Sequence, residues 1–364
     1  RPFWSARKDS LVAGCLALLV LGIPAVTLGV WEPWEADVAS VASHMIDQGH
    51  WLEVHLGQHD TADRSISELP FGYWPVALST LLLGSSAVAI RLPGLILTVC
   101  VLLLLMSTVR RFAGRKAGWL SVLIGLTLPL LCFHGRLALG HSATMMATAA
   151  ASLMFMRMAN KPSTAGSLGA WLLTAVSGLC GGLPGLAIPL GVYLVQSGYG
   201  NGPRALTRVY DWLIPILALT LVGLGWWRAS IYMPEGMHIE TLLLWSDGIS
   251  QTIKASSRPA FNDFVQQIGF GLFPFGAFLP LALASLLWRT EEEDSNSWIG
   301  PVLLIWCVAG FIAPALGSGY SHFGLFLAAP AAAMALAIYF SRMASAPASP
   351  VIALITVLLV ALLD

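Results

Sequence analysis

Apolar runs long enough to cross a lipid bilayer recur along most of this sequence. The hydrocarbon core of a bilayer is about 30 Å thick, so a spanning helix needs about 20 apolar residues. Hydrophobic residues make up 57% of the 364-residue chain and charged residues only 10%, well below the roughly 25% of a water-soluble domain. The sequence therefore predicts an all-α polytopic membrane protein with about 11 transmembrane helices, near residues 11–30, 90–109, 117–135, 138–157, 167–181, 183–197, 211–230, 267–288, 299–316, 323–341 and 350–364.

Basic residues orient these helices, because Lys and Arg concentrate on the cytoplasmic side of membrane proteins. They cluster before the first apolar run, at 110–116 and at several later turns. Simple alternation then places the N-terminus in the cytoplasm and leaves two long external loops, 31–89 and 231–266. Within the first loop we expect two interfacial helices, at about 34–48 and 71–86. Residues 1–364 are expected to form a single transmembrane domain, with a further C-terminal part missing after Asp364.

The first external loop opens with a group of acidic residues. Glu32, Glu35 and Asp37 lie within six residues, at the start of the helix predicted over 34–48. Acids in a first turn are favoured by the helix dipole, so they are either capping and solvating charges or the start of a reaction centre. Helical spacing also predicts that this helix lies on the bilayer surface, through an apolar stripe of Trp34, Val38, Val41 and Met45.

Other polar residues on the external side leave alternatives open. Loop histidines and acids could bind a metal, but their spacing matches no standard ligand pattern, and solvated loop residues are the alternative. Arg136, near His141 at the outer end of two predicted helices, either binds a phosphate or reaches to the interface. Lys254 and Arg258 could contact an anionic headgroup. No Walker loop, dinucleotide fingerprint or serine elbow occurs, and the five cysteines lie unpaired in apolar runs, as core residues do.

Several stretches of this sequence resemble one known group of enzymes. They are "WEPWEADVASVASHMIDQGHW" (31–51), "LPFGYWPVALSTLLLG" (69–84), "AIRLPGLIL" (89–97) and "GRLALGHSATM" (135–145). In order and in loop length they are similar to the GT-C-fold glycosyltransferases that use lipid-phosphate sugars, the aminoarabinose transferase and protein O-mannosyltransferase group. The resemblance covers nearly the whole chain and implies a GT-C-like fold in the bacterial inner membrane, with the functional face in the periplasm.

The resemblance also implies a reaction. A polyprenyl-phosphate sugar would enter from the bilayer, and a first-loop carboxylate, Glu35 or Glu32, would act as general base on an acceptor hydroxyl. Residues expected to bind substrate are Asp37, Tyr73, Arg91, Arg136, His141, Lys254 and Arg258. A divalent metal (Zn, Mg or Mn) would have as its candidate ligands Glu68, His238 and His322. Membrane lipids and the lipid-linked donor are the expected partners, the acceptor is open, and nucleic acid is not expected.

Polar positions differ from the family pattern more than scaffold positions do. Trp34 stands where the family has its first, catalytic acid, and His141 stands where a second carboxylate opens a later span. Two readings follow: a glycosyltransferase acting at the periplasmic face, or a catalytically silent relative that serves as a structural or lipid-binding subunit of a larger membrane complex. A transporter is a third, weaker reading, because no ionisable residue lies at the midplane of a predicted span.

Overall fold

The structure, a computed structural model, describes residues 2–30, 34–54, 69–139, 142–159, 163–200, 209–232, 243, 269–287, 297–316 and 327–343. Within these ranges the regular structure is helical and no strand occurs, as the sequence predicts. The helices are α1 (Pro2–Thr27), α2 (Trp34–Gln48), α3 (Pro70–Leu83), α4 (Ala87–Thr127), α5 (Pro129–Arg136), α6 (Ser142–Met158), α7 (Thr164–Gly200), α8 (Val209–Ile231), α9 (Leu279–Leu287), α10 (Ile299–Leu316) and α11 (Ala329–Met343).

Helix α4 is a helical hairpin and not one long rod. A straight helix of its 41 residues would be about 60 Å long, twice the thickness of a bilayer core. Gly114 interrupts it with φ +86° and ψ 178°. A Cβ built on Gly125 would lie 2.6 Å from Leu102 Cδ2, although residues so far apart in a straight helix are separated by about 34 Å. The two arms are therefore antiparallel, and the reversal falls within the basic turn predicted at 110–116.

Helix α7 reverses in the same way at Gly182. This glycine has φ +60°, and the hydroxyl of Ser177 donates to the carbonyl oxygen of Gly185 at 2.6 Å. A Cβ on Gly182 would also lie 2.7 Å from the carbonyl oxygen of Leu243, so two backbones meet at this turn. The predicted break between spans 167–181 and 183–197 is thus present as a glycine turn.

Substitution of Gly114 by alanine is expected to destabilise the protein by about 1–3 kcal/mol, since its backbone conformation is accessible essentially only to glycine. No heavy atom lies within 4 Å of the added Cβ, so the effect comes from the backbone alone. Gly223→Ala is the matched control, because that glycine also has open space and no positive φ. Thermal unfolding in detergent measures both, and equal midpoints would contradict the strained turn.

Helix α11 fills the centre of the bundle with small residues. Its positions 329–338 are all buried, and six of them are alanine. Small side chains allow helices to approach closely in a membrane protein. Neighbouring α10 shows the same closeness, because a Cβ on Gly310 would lie 2.7 Å from the backbone nitrogen of Ala328. The Trp306 indole donates to the carbonyl oxygen of Leu327 at 2.9 Å and fastens the two helices together.

Helix α2 has the predicted bounds but not the predicted environment. Val41 and Met45 are fully buried and Val38 is nearly so, in a cluster that includes Tyr73 and Val76 of α3. The prediction that this stripe lies on the bilayer surface is therefore wrong for these three residues. An amphipathic pattern shows that one face is covered, and here protein covers it. The Trp34 side chain lies outside the described part.

Four described helices are long and apolar enough to cross a membrane by length and composition: Arg7–Thr27, Ala87–Thr127, Thr164–Gly198 and Trp212–Ile231. Two of these are the hairpin helices α4 and α7. Helix α3 has 14 residues and is about 20 Å long, shorter than a bilayer core, so an interfacial position for it stays a prediction. The total of 11 spans also stays a prediction, and the last of them (350–364) lies outside the described residues.

Candidate functional site

Glu35 is held in a buried ion pair with Arg91. The side chains are 0% and 1% exposed. The Arg91 Nε donates to Glu35 Oε1 at 2.7 Å, and Nη2 donates to Oε2 at 2.5 Å. This is the bidentate arrangement in which a guanidinium and a carboxylate interact most strongly. It joins the start of α2 to the first turns of α4, 56 residues later in the chain.

All five N–H donors of Arg91 are used within the protein. Beyond the two bonds to Glu35, Nη1 donates to the carbonyl oxygens of Ala25 at 2.9 Å and Leu28 at 2.6 Å. Nη2 donates to the carbonyl oxygen of Gly29 at 2.6 Å. The last carbonyls of a helix lack intrahelical partners and favour a nearby cation. The carbonyl oxygens at the end of α1 therefore gain hydrogen-bond donors from Arg91, and the Arg91 guanidinium gains acceptors from them. No donor is left for a ligand.

Glu35 also fixes the segment that follows α5. The backbone N–H of Ala138 donates to Glu35 Oε1 at 2.7 Å. We call Glu35, Arg91 and the backbone groups bonded to them the Glu35–Arg91 clamp. It connects the end of α1, the start of α2, the start of α4 and the chain between α5 and α6. A general base must reach the proton that it accepts, whereas this carboxylate is enclosed and occupied. The geometry therefore argues against Glu35 as base and against Arg91 as substrate ligand.

Arg136 is the described cation best placed to meet a ligand. It is partly exposed in the last turn of α5, with its guanidinium carbon 4.8 Å from the ring centre of Phe133. No hydrogen bond or ion pair to another described residue engages it. Ala138, two residues later, is bound to Glu35, so the clamp holds the backbone beside Arg136. Its predicted role as a phosphate ligand stays a prediction that this geometry supports.

Two further predicted ligands, Asp37 and Tyr73, are less accessible. Tyr73 is only 5% exposed and packs in the cluster with Val41 and Met45. Asp37 is partly exposed on the first turn of α2, and both side chains have interaction partners within the protein. Tyr73 thus serves the packing of α2 on α3, and the binding role predicted for it is not supported by its position.

An apolar cavity of about 680 Å³ lies between α3, the first arm of α4, the start of α6 and the first arm of α7. None of the side chains that line it is charged, and they include Phe71, Leu78, Leu104, Ala147 and Val176. Ligand pockets commonly fall in the range of about 300–1,000 Å³, and this one suits a hydrocarbon chain. Sequence patterns did not reveal the cavity, because its lining comes from four separate helices.

Two tryptophans stand at the α3 side of this cavity. The indole N–H of Trp74 donates to the carbonyl oxygen of Trp51 at 2.8 Å, and Trp74 meets Phe71 edge to face, with ring centres 4.9 Å apart. All three aromatic residues line the cavity. Tryptophan is enriched where apolar surface meets water, so the aromatic content of 69–84 was the one sequence signal that could have indicated this wall.

The other predicted site residues lie outside the described part of the chain. They are the base candidate Glu32, the substrate ligands His141, Lys254 and Arg258, and the metal ligands Glu68, His238 and His322. Among the described residues, no group of three or more His, Cys, Asp or Glu side chains could hold a metal ion. A metal ion therefore stays a prediction from the resemblance.

Comparison with known proteins agrees with the expected group. A model of the dolichyl-phosphate-mannose-protein mannosyltransferase family matches residues 67–227. The undecaprenyl phosphate-alpha-4-amino-4-deoxy-L-arabinose arabinosyl transferase of Shewanella sediminis is 24% identical over 309 residues, which cover 82% of this chain and 52% of that protein. A second such transferase, from Proteus mirabilis, is 24% identical over 304 residues, with 80% and 52% covered. The chain thus spans about half the length of the curated relatives it matches.

Solved structures share the fold. ArnT from Cupriavidus metallidurans, bound to undecaprenyl phosphate, superposes with a TM-score of 0.72 at 17% identity, over 91% of this chain and 60% of that one. The archaeal oligosaccharyltransferase AglB from Archaeoglobus fulgidus, in complex with an inhibitory peptide and a dolichol-phosphate, gives 0.58 at 14% identity, over 94% and 51%. Sequence and fold together show that the chain is similar to the aminoarabinose transferase and protein O-mannosyltransferase group and shares the fold of the solved ArnT structures.

Proposed function

We infer that this chain is a membrane glycosyltransferase that takes its sugar from a polyprenyl-phosphate donor and acts at the periplasmic face. The observation that carries this function is the uncharged cavity of about 680 Å³, within a fold shared with a transferase solved with undecaprenyl phosphate. An isoprenoid chain is apolar along its whole length, with one methyl branch on each five-carbon unit. A cavity with four helical walls buries such a chain without leaving polar groups unsatisfied.

The phosphate of the donor would meet Arg136, with Lys254 and Arg258 of the second external loop as further cations. Departure of polyprenyl phosphate leaves negative charge on an oxygen, and a positioned cation stabilises that charge as it develops. Arg136 is suited to this because its planar guanidinium binds phosphate through two hydrogen bonds. The clamp keeps the adjoining backbone in place and so limits the reorganisation that this contact requires.

Glu32 is the general base in this proposal, and Glu35 is a positioning residue. The acceptor hydroxyl oxygen attacks the anomeric carbon, its proton passes to the carboxylate, and the bond from that carbon to the phosphate oxygen breaks with inversion. Glu32 precedes the occupied Glu35 by three residues in the sequence. The acceptor is a lipid, glycan or protein hydroxyl. A metal ion, if bound, would draw on Glu68, His238 and His322 and would neutralise the leaving phosphate.

Glutamine substitutions separate these roles. Glu32→Gln is expected to lower turnover of a polyprenyl-phosphate sugar by about 100-fold or more, because a general base contributes roughly 10²–10⁴ in rate, without changing the unfolding midpoint. Glu35→Gln is expected to lower the unfolding midpoint, and its activity is expected to fall because less of the protein is folded. Asp47→Asn, which neutralises an exposed acid on the same helix, is the matched control. Turnover by Glu32→Gln equal to that of the wild type would contradict the assignment of Glu32 as the general base.

A silent subunit is the second candidate function, and one observation favours it. Trp34 occupies the position of the family's first acid, and the adjacent Glu35 is enclosed in an ion pair, so two neighbouring positions offer no free carboxylate. In that case no donor in a panel of polyprenyl-phosphate sugars is turned over, while donor lipid still binds. Purification in mild detergent would then recover partner subunits in a fixed ratio.

A further inference from the structure

A second polar region lies at the opposite end of α1 from the clamp. Asp9 is only 5% exposed and accepts three hydrogen bonds from the turn of the α4 hairpin. Arg110 Nη1 donates to Oδ2 at 2.6 Å, and Arg115 donates through Nε to Oδ2 and through Nη2 to Oδ1, both at 2.7 Å. Asp9 thus fastens the start of α1 to the basic turn and holds two arginines in a fixed arrangement on either side of Gly114.

The carboxylate does not neutralise this region. We define the basic patch as six residues, Arg7, Lys8, Arg110, Arg111, Arg115 and Lys116. Six positive charges against the single charge of Asp9 leave five. All but Arg110 are exposed, and Arg110 is partly so. Arg157, in the last turn of α6, donates a hydrogen bond to Ser107 Oγ, four residues before Arg111 in α4. Like charges at one surface repel each other, and a bound anion lowers that repulsion.

An apolar surface continues from the basic patch along α1. Leu11 and Val12, which lie four residues after Arg7 and Lys8, are 63% and 59% exposed, and Leu18 and Leu19 continue the exposed surface at 48% and 58%. An anion held here would therefore have hydrocarbon-compatible surface immediately beside it. That combination matches a molecule with a phosphate headgroup and acyl chains, which is a phospholipid. A free anion would use the charges and leave the apolar surface unmatched.

We propose that the basic patch binds the headgroup of an anionic phospholipid, whose acyl chains lie along the exposed face of α1. Clusters of Lys and Arg beside a membrane helix attract anionic lipid in general. Here the Asp9 bonds pre-arrange the turn, so binding requires little ordering of the long side chains. This lipid site lies at the other end of α1 from the donor site and does not depend on the proposed transferase activity.

The experiment uses delipidated full chain in a neutral detergent and follows the thermal unfolding midpoint. Phosphatidylglycerol is expected to raise the midpoint by several degrees, whereas phosphatidylcholine and inorganic phosphate are expected to leave it unchanged. The double variant Arg111→Gln/Lys116→Gln is expected to lose at least half of that increase, because both residues are exposed and neither is bonded to Asp9. Arg228→Gln, which removes an exposed arginine near the far end of α8, is the matched control and should keep it. Native mass spectrometry counts the bound lipids directly.

Three outcomes would overturn the proposal. An equal increase with phosphatidylcholine means that the apolar surface alone is responding, and an equal increase with inorganic phosphate means a free-anion site. The third outcome concerns the acidic run at 291–294, which precedes Trp298 by a few residues. Trp298 contacts Phe112 of the basic turn, with ring centres 5.2 Å apart, so this run is close to the patch along the chain. If phosphatidylglycerol acts only after these four residues are neutralised, then the chain's own acids occupy the patch.

Discussion

Arg91→Met is expected to abolish stable folding or to lower the free energy of unfolding by about 3–5 kcal/mol, the range for removing one partner of a buried ion pair. The substitution leaves the Glu35 carboxylate at 0% exposure without its counter-ion. It also leaves the carbonyl oxygens of Ala25, Leu28 and Gly29 without the donors that Arg91 supplies. Fluorescence-detected size exclusion and thermal unfolding in detergent measure the loss.

Arg136→Met is the matched control for this prediction. It makes the same chemical change at a partly exposed arginine that no described residue engages by hydrogen bond, so its midpoint should stay close to that of the wild type. Arg91→Lys should be intermediate, because an ammonium keeps the charge but offers three donors in place of five. Equal midpoints for Arg91→Met and Arg136→Met would contradict the structural role assigned to the clamp.

A double variant tests whether the cost comes from the stranded charge. In Arg91→Met/Glu35→Leu no buried carboxylate is left, although three carbonyl oxygens and the backbone N–H of Ala138 lose their partners. We expect it to be more stable than Arg91→Met alone, since removing both partners of a buried pair costs less than removing one. Non-additivity of 0.5–3 kcal/mol is typical of contacting residues. Additive effects would show that the two side chains do not act as a pair.

Ala147→Phe is expected to lower kcat/KM for the lipid-linked donor by about tenfold or more, equivalent to roughly 1.4 kcal/mol of binding. Ala147 lines the apolar cavity in the first half of α6, so an aromatic ring there fills space that the isoprenoid chain would occupy. The unfolding midpoint should change little, because Ala147 lines the cavity and a ring that extends into it avoids the cost of overpacking. The effect should appear mainly in KM, since the reacting groups are untouched.

Leu219→Phe controls for added bulk in a helix. Leu219 is 41% exposed on α8, away from the cavity, and its replacement should leave donor dependence unchanged. A donor with a shorter prenyl chain should be less affected by Ala147→Phe than a long one, because fewer isoprene units compete with the new ring. Unchanged donor dependence in Ala147→Phe would show that the tail does not use this cavity.

Local signals were sufficient for much of the fold. Apolar runs of spanning length predicted the helical membrane class, and the basic turn at 110–116 predicted the reversal that Gly114 makes in α4. Pro33 and the acids after it predicted α2 over 34–48. These features depend on residues within one or two helical turns of each other, which is the range over which periodicity and capping act.

The environment of α2 could not be predicted in the same way. Its apolar stripe requires an apolar partner, but a bilayer and a neighbouring helix satisfy that requirement equally well. Only the packing of Val41 and Met45 against Tyr73 and Val76 distinguishes the two. The cavity could not be predicted for a similar reason, because its lining comes from four helices and no single helix reveals it.

The sequence by itself determined the class of this protein, its helical segments and the group that it resembles, since each depends on local pattern or ordered motifs. Only the tertiary structure decided what Glu35 and Arg91 do. The resemblance implied a base and a substrate ligand, and their positions, 56 residues apart in the sequence, gave no sign of a partnership. Burial is the physical reason. A carboxylate that is shielded from water is stable only when it is paired with a cation and hydrogen-bonded, and in the folded chain that cation is Arg91.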